Sequence, residues 1–282
     1  MNQNNDNETY YPAISSNTLF HFTPKKEFLI SILENDFRPR YCFETLSCVE
    51  VHSPLGLGRI HDFAIPMVCF CDIPLSLTGK HLNTYGNYGI GLTKEWGMKN
   101  GLNPVLYVHF ASTLKSMVND SIEVVNNLDF DNRKHKLSEI ADVPINVDLL
   151  WETFDYLKFF TKPYQGPFKR PEKTIENVRF YDEREWRFVP RKKEGDQWKK
   201  YMYEWDFNDE IRKQEQNDLI YQDDKAALMF TPNDIKYIIV KEESEILDVA
   251  NQITQIKSKY EPHERQLLTT RIISAQQIKE DF

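Results

Sequence analysis

The stretch TLFHFTPKKEFLISILEN, Thr18 to Asn35, holds two periodicities joined at a proline. Leu19, His21 and Thr23 alternate with Phe20 and Phe22, the two-residue period of a strand. Thr23 then offers a side-chain oxygen suited to an N-cap, and Pro24 a ring suited to the first helical position. Beyond them Phe28, Leu29, Ile32 and Leu33 fall on one helical face, and Asn35 ends the run. A strand that turns straight into an amphipathic helix predicts an α+β chain. It also sets His21 between two phenylalanines, where a hydrogen-bonded core role is the plainest expectation.

The same reading extends along the chain. IPMVCFCDIP (65–74) alternates Cys69 and Cys71 with Val68 and Phe70 and reads as a buried strand. PLSLTGKHLNTYGNYGIGL (74–92) reads as a polar turn or short helix, and NPVLYVHF (103–110) as β-rich. A helix is expected over 147–160 through Leu149, Leu150, Phe154 and Leu157, followed by a proline-rich, basic, aromatic loop, TKPYQGPFKRPEKTIENVRFY (161–181). DIKYIIV (234–240) predicts a strand, Ile246, Val249, Ile253 and Ile256 a helix, and RQLLTTRIIS (265–274) a last strand-like segment. Residues 1–17, rich in Asn and Asp, read as a disordered tail, and 18–282 as one domain without repeat or linker.

Composition limits the function. With 282 residues, 40% hydrophobic and 13% aromatic, the chain can bury a substantial core. No apolar run approaches the roughly 20 residues that span a bilayer, and MNQNNDNETYYP lacks the basic start and apolar segment of an export signal, so no membrane contact and a cytoplasmic location are expected. A net charge of −8 argues against a surface given over to nucleic acid, though not against a local basic patch. Cys69 and Cys71 with the distant His52 and His61 match no usual zinc spacing, and no metal is expected. P-loop, H-E-x-x-H and G-x-S-x-G motifs are absent, and Gly86, Gly89 and Gly91 do not form a dinucleotide fingerprint.

The segment FYDEREWRFVP (180–190) raises the chemical question. At strand spacing Glu183, Glu185 and Arg187 share one face, and Trp186 and Phe188 the other. Two carboxylates one period apart repel unless Arg184, Arg187 or solvent relieves them. Before them Lys158, Lys162, Lys169, Arg170, Lys173 and Arg179 are interleaved with Phe159, Phe160, Tyr164, Phe168 and Phe180, pairing cations for phosphates with rings for bases. The plainer alternative is a solvated loop anchored by its aromatics.

His21, Tyr85 or Tyr88, and Glu185 stand in an order that resembles the ADP-ribosyltransferases, and EREW is similar to the E-x-E form of toxin members of that class. More closely, IPMVCFCDIPLS, YGNYGIGLTKEWG, NPVLYV, YDEREWRFVP and DIKYIIV resemble the AbiGi abortive phage resistance family of bacteria over residues 19–240. The transferase pattern often has glycine after the histidine, where this chain has Phe22, and two tyrosines compete for one role. The resemblance implies a split β-sandwich of short antiparallel strands with flanking helices, and NAD as a metal-free co-substrate. It implies catalysis by Glu185 and Glu183, with NAD held by His21, Phe22, Thr23 and Tyr85 or Tyr88. Target contacts would fall to Lys162, Tyr164, Phe168, Lys169, Arg170 and Arg179, on a nucleic-acid or protein acceptor, with an antitoxin partner keeping the enzyme silent. The alternatives are a non-catalytic antitoxin or binding module of the same defence, and an NAD glycohydrolase.

Overall fold

The computed structural model describes residues 15–45, 51–52, 59–60, 62–130, 147–170 and 173–281. It is an α+β structure whose main sheet is organised by one long strand, β5 (Asp62–Cys71). β1 (Thr18–Thr23) pairs with β5 through Phe20 and Cys71, whereas β2 (Arg40–Thr45) pairs with it along Asp62–Met67. β12 (Glu185–Phe188) takes Val68–Cys71, and β13 (Met202–Tyr203) takes Phe63 and Ala64. The two halves of β5 therefore serve different neighbours. On the far side of β1 the order continues through β6 (Tyr88–Thr93), β14 (Ile235–Val240) and β15 (Ile272–Ser274), the last pair being parallel. β7 (Asn103–Pro104) edges β12. Small two-stranded pieces join β3 (Val51–His52) to β4 (Arg59–Ile60), β8 (Leu106–Val108) to β9 (Thr161–Pro163), and β10 (Gly166–Arg170) to β11 (Lys173–Val178).

Alternation along β1 feeds both faces of the sheet. Leu19 packs with α1 (Lys26–Asn35), through Leu29 and Leu33, and with the helix Ile246–Ile256, through Val249 and Ile253. Phe20 packs on the opposite face with Leu82 of α2 (Gly79–Tyr85) and with Ala275 and Ile278 of the last helix. Burying such side chains contributes roughly 1.5–3 kcal/mol each, so these layers fix where β1 presents His21.

Several sequence expectations are corrected. The helix begins at Lys26 after Lys25, with no side-chain cap bond, so Thr23 and Pro24 finish the strand and turn instead of capping. YGIGLT is strand β6: a Cβ on Gly91 would stand 2.9 Å from Phe20 Cε1, and one on Gly89 2.9 Å from Phe22 Cδ1. Those glycines clear a bed for the Phe20 and Phe22 rings, which stack 5.9 Å apart. The basic stretch 161–181 is not a loop but β9 followed by the β10–β11 hairpin. Of 265–274, the first half belongs to the helix Pro262–Thr269 and only Ile272–Ser274 is strand. Helix 147–159 leaves Leu149 about half exposed and Leu157 more than a third exposed. The tail expectation over 1–14 falls outside the described residues, while Ser15 and Ser16 are bonded to Asp72 at 2.8 and 2.9 Å. Among the described residues no helix is long and apolar enough to cross a membrane.

Candidate functional site

A cleft of about 220 Å³ opens where β1 and β2 part along β5. His21 sits at this parting: its Nδ1 lies 2.8 Å from the Cys69 carbonyl oxygen. A carbonyl only accepts, so Nδ1 carries the proton and the neutral ring keeps Nε2 as an acceptor. Phe37 and Phe70 pack against the ring at 5.2 and 5.7 Å, and burial lowers its pKa, opposed by the bond to Cys69.

The opposite wall is built at the entry to β12. Phe180–Glu183 forms a single 3₁₀ turn, Arg184 takes a left-handed φ of 45°, and the strand starts at Glu185. The expected strand pair Glu183 and Glu185 is thus corrected to a turn residue and a strand residue, brought to one point by the kink between them. The Glu185 backbone N–H donates to the Tyr107 hydroxyl at 2.8 Å, and its carbonyl accepts from Val105 at 2.9 Å. Tyr107 on β8 is the register partner of Lys162 on β9, so one short ladder holds both the backbone and the side chain of Glu185.

Lys162 Nζ stands between the acids, 2.7 Å from Glu183 Oε2 and 2.8 Å from Glu185 Oε2. On the other side, fully buried Arg187 donates from Nε to Glu185 Oε1 at 2.5 Å, from Nη2 to Glu44 Oε2 at 2.7 Å and from Nη1 to the Phe159 carbonyl at 2.8 Å. Burial alone would raise the Glu185 pKa, but Arg187 and Lys162 hold the carboxyl well below the usual glutamate range. Burial likewise opposes the charge on Lys162, yet Glu185, Glu44 and Glu183 keep it firmly protonated. The repulsion foreseen from the sequence is relieved by this buried lysine and arginine.

Tyr85 ends α2 and donates its hydroxyl to Glu183 Oε1 at 2.6 Å; burial, then the nearby Glu183, raises its pKa. Gly86 makes this placement possible, with φ of 125° and an added Cβ only 2.3 Å from the Thr23 carbonyl and Pro24 Cα. Tyr88 lies elsewhere, on β6, and donates to Glu245 at 3.0 Å. Of the two competing tyrosines, Tyr85 lines the cleft. Phe22 and Phe168 line it too, whereas Thr23 lines a second cavity of about 440 Å³, with Arg38 and Arg40, that shares His21, Cys42, Met67 and Cys69 with the first.

Those of the expected target contacts that are described have partners within the chain. Lys162 is held inside by its two carboxylates. Tyr164 packs on Tyr181 and His109, and exposed Arg179 pairs with Asp182 at 2.9 Å. The side chains of Lys169, Arg170 and Lys173 lie outside the described residues, as do those of His52 and His61. Among the described residues no cluster has the makings of a metal site. Burial pushes the Cys42 thiol up to about 12 and raises Cys69 and Cys71 as well, so the thiols in this wall are poor nucleophiles at neutral pH.

Sequence reasoning missed Glu44 and His81. RYCFET alternates Cys42 and Glu44 against Tyr41 and Phe43, and His81 precedes Tyr85 by one helical turn, so both carried a periodic signal. His81 is buried, packs near Tyr85 and Phe22 at 5.9 and 6.2 Å, and lines the cleft.

A protein-family model described as "Putative abortive phage resistance protein AbiGi, antitoxin" matches residues 35–241. The chain is 29% identical over 265 residues to the abortive phage resistance protein AbiGi of Lactococcus lactis subsp. cremoris, covering 87% of this chain and 99% of that one. No solved structure matches the chain.

Proposed function

Because the chain belongs to the AbiGi family of abortive phage resistance proteins, we propose that it acts in such a defence as the component that restrains a toxin, with its cleft a ligand pocket rather than a working transferase centre. The family description names an antitoxin. The single observation that supports this reading is the closed state of Glu185, whose Oε1 is paired with Arg187 at 2.5 Å and Oε2 with Lys162 at 2.8 Å. A carboxylate that stabilises an oxocarbenium-like sugar must offer charge to it in the transition state. With both oxygens paired to cations, that charge is already neutralised in the resting protein. Incubation with labelled NAD and a cell extract is expected to leave proteins and nucleic acids unlabelled and NAD intact.

A second reading has an observation of its own, the convergence of His21, Tyr85, Glu183 and Glu185 on one cleft. In this reading the chain is an NAD-dependent ADP-ribosyltransferase that becomes competent when Lys162 withdraws. Glu185 would then face the nicotinamide ribose, where charge grows as the glycosidic bond breaks, so its effect falls on the barrier. Tyr85 would stack on the nicotinamide, and Glu183 would receive the acceptor's proton. Label released by nuclease would assign a nucleic-acid acceptor and label released by protease a protein one. Free ADP-ribose without a labelled macromolecule would indicate water as the acceptor. Any of these outcomes, abolished by Glu185→Gln, would displace the first reading.

A further inference from the structure

Five rings from three separate segments run in contact across one face. Tyr107 on β8 meets Tyr181 at 5.4 Å, Tyr181 meets Tyr164 at 5.5 Å, Tyr164 meets His109 at 6.2 Å, and His109 meets Phe110 at 4.5 Å. A turn then leads into the helix Thr113–Phe130: the Ser112 N–H donates to the His109 carbonyl at 3.0 Å, and the Ser112 hydroxyl accepts from the Lys115 N–H at 3.2 Å. Leu114 and Met117, three residues apart, are neighbours on the surface of that helix and continue the strip. Phe110 is 64% exposed, Met117 62%, Tyr181 51% and Leu114 43%. At roughly 200 Å² for a large side chain, those four leave about 400 Å² in water, half of the roughly 800 Å² that each partner of a standard interface covers.

We infer that this face is where a second copy of the chain docks, the two copies meeting across a two-fold axis. Such an axis sets each patch against its own kind, so apolar surface meets apolar surface. The centre of a homodimer interface is apolar, rich in Phe, Tyr and Met and poor in charge, and the strip has that composition. Two chains of net charge −8 repel, and an apolar face lets them meet without setting like charges opposite each other. A single strand of nucleic acid would call for cations free to meet phosphates beside the rings, whereas Arg179, which borders Tyr181 through its turn, is already paired with Asp182 at 2.9 Å. The interface also bears on the cleft. Tyr181 belongs to the same 3₁₀ turn as Glu183, and the Tyr107 hydroxyl accepts the Glu185 N–H, so a docked copy braces the wall that carries both acids. The inference is independent of what that cleft binds or transfers.

The test is sedimentation equilibrium of the full chain over a range of concentrations. The wild type is expected at twice the mass of one chain, dissociating on dilution and held more tightly as added salt screens the repulsion between copies. Phe110→Lys and Met117→Lys should each weaken the dimer at least about tenfold, by removing apolar contact and placing two ammonium groups near the axis. Lysine is chosen because it reduces the net negative charge, so the loss cannot come from overall repulsion. Leu247→Lys, at a position 78% exposed on the helix Ile246–Ile256, should leave the dimer intact. Both test positions stand largely in water, and should one variant fail to fold the other serves. Hydrogen exchange on the wild type needs no variant: amides of residues 109–117 should exchange faster once dilution has separated the copies. A wild type that stays monomeric at every concentration would overturn the inference, whatever other protein then binds the face. So would a dimer that survives both lysine variants, one that Leu247→Lys loosens as much, or exchange at 109–117 that dilution leaves unchanged.

Discussion

Lys162 Nζ lies 2.8 Å from Glu185 Oε2, with the lysine 12% and the glutamate 7% exposed, and the same ammonium reaches Glu183 at 2.7 Å. One cation therefore serves two acids in a place that water barely enters. Removing one partner of such a pair costs more than the pair contributes, because the charges left behind are neither solvated nor matched.

Lys162→Met should accordingly lower stability by about 3–5 kcal/mol, the usual scale for breaking a buried ion pair. Urea unfolding measures it. Adding Glu183→Gln should recover part of the loss, since Arg187 still serves Glu185 whereas Glu183, left without Lys162, keeps the neutral Tyr85 hydroxyl as its hydrogen-bond donor among the described residues. A double variant no more stable than Lys162→Met alone would mean that the two side chains are not coupled.

Arg187 is the more demanding position. Its guanidinium meets Glu185, Glu44 and the Phe159 carbonyl in the planar arrangement that suits arginine. Arg187→Lys cannot reproduce all three contacts and should cost roughly 2 kcal/mol or more, on the scale of lost charge-assisted hydrogen bonds. A change in melting temperature within error of zero would contradict this.

Stability should fall as pH drops below neutrality. Burial lowers the pKa values of His21 and His81 from 6.5, so the unfolded chain binds protons in a range where the folded one resists them. Their contribution is complete above 6.5 and lost as pH falls through the lowered folded values. Glu185 adds a second loss below its ordinary 4.5, because the folded carboxylate stays ionised while the unfolded one takes up protons. The melting temperature is expected to be level from pH 7 to 8, to decline below 6.5 and to steepen below 4.5. His21→Gln, which keeps a donor for the Cys69 carbonyl, should flatten the first decline.

Two glycines hold the cleft walls. Gly86→Ala would place a methyl 2.3 Å from Thr23 and Pro24 backbone atoms at a φ of 125°, and should cost at least about 2 kcal/mol while displacing Tyr85. Gly89→Ala meets the His21 carbonyl and the Phe22 ring at 2.9 Å and should cost about 1–3 kcal/mol as overpacking. Calorimetric melting of both variants checks these values, and an unchanged Gly86→Ala would show that the turn has more room than its distances allow.

Much of this architecture was legible because local periodicity and tertiary burial agree. Leu29 and Leu33 mark α1, Val249 and Ile253 mark the helix behind β14, and IPMVCFC marks β5. β6 was hidden because its glycines are required by rings of the neighbouring strand, which one segment's pattern does not announce. The β10–β11 hairpin was hidden by its proline and charges, which read as a loop. The site was legible in its acids, His21 and Tyr85. Its electrostatics were not, because Lys162 arrives from a strand paired to β8, and its distance from Glu185 is set by topology rather than by spacing along the chain.

The most direct test of the restraining role is induced expression of this chain alone in bacteria, with growth and cellular NAD followed for wild type and Glu185→Gln. The account predicts that both proteins accumulate without arresting growth and that NAD stays level in both cultures. Growth arrest with falling NAD in the wild type, absent in Glu185→Gln, would contradict it and assign the poison to this cleft.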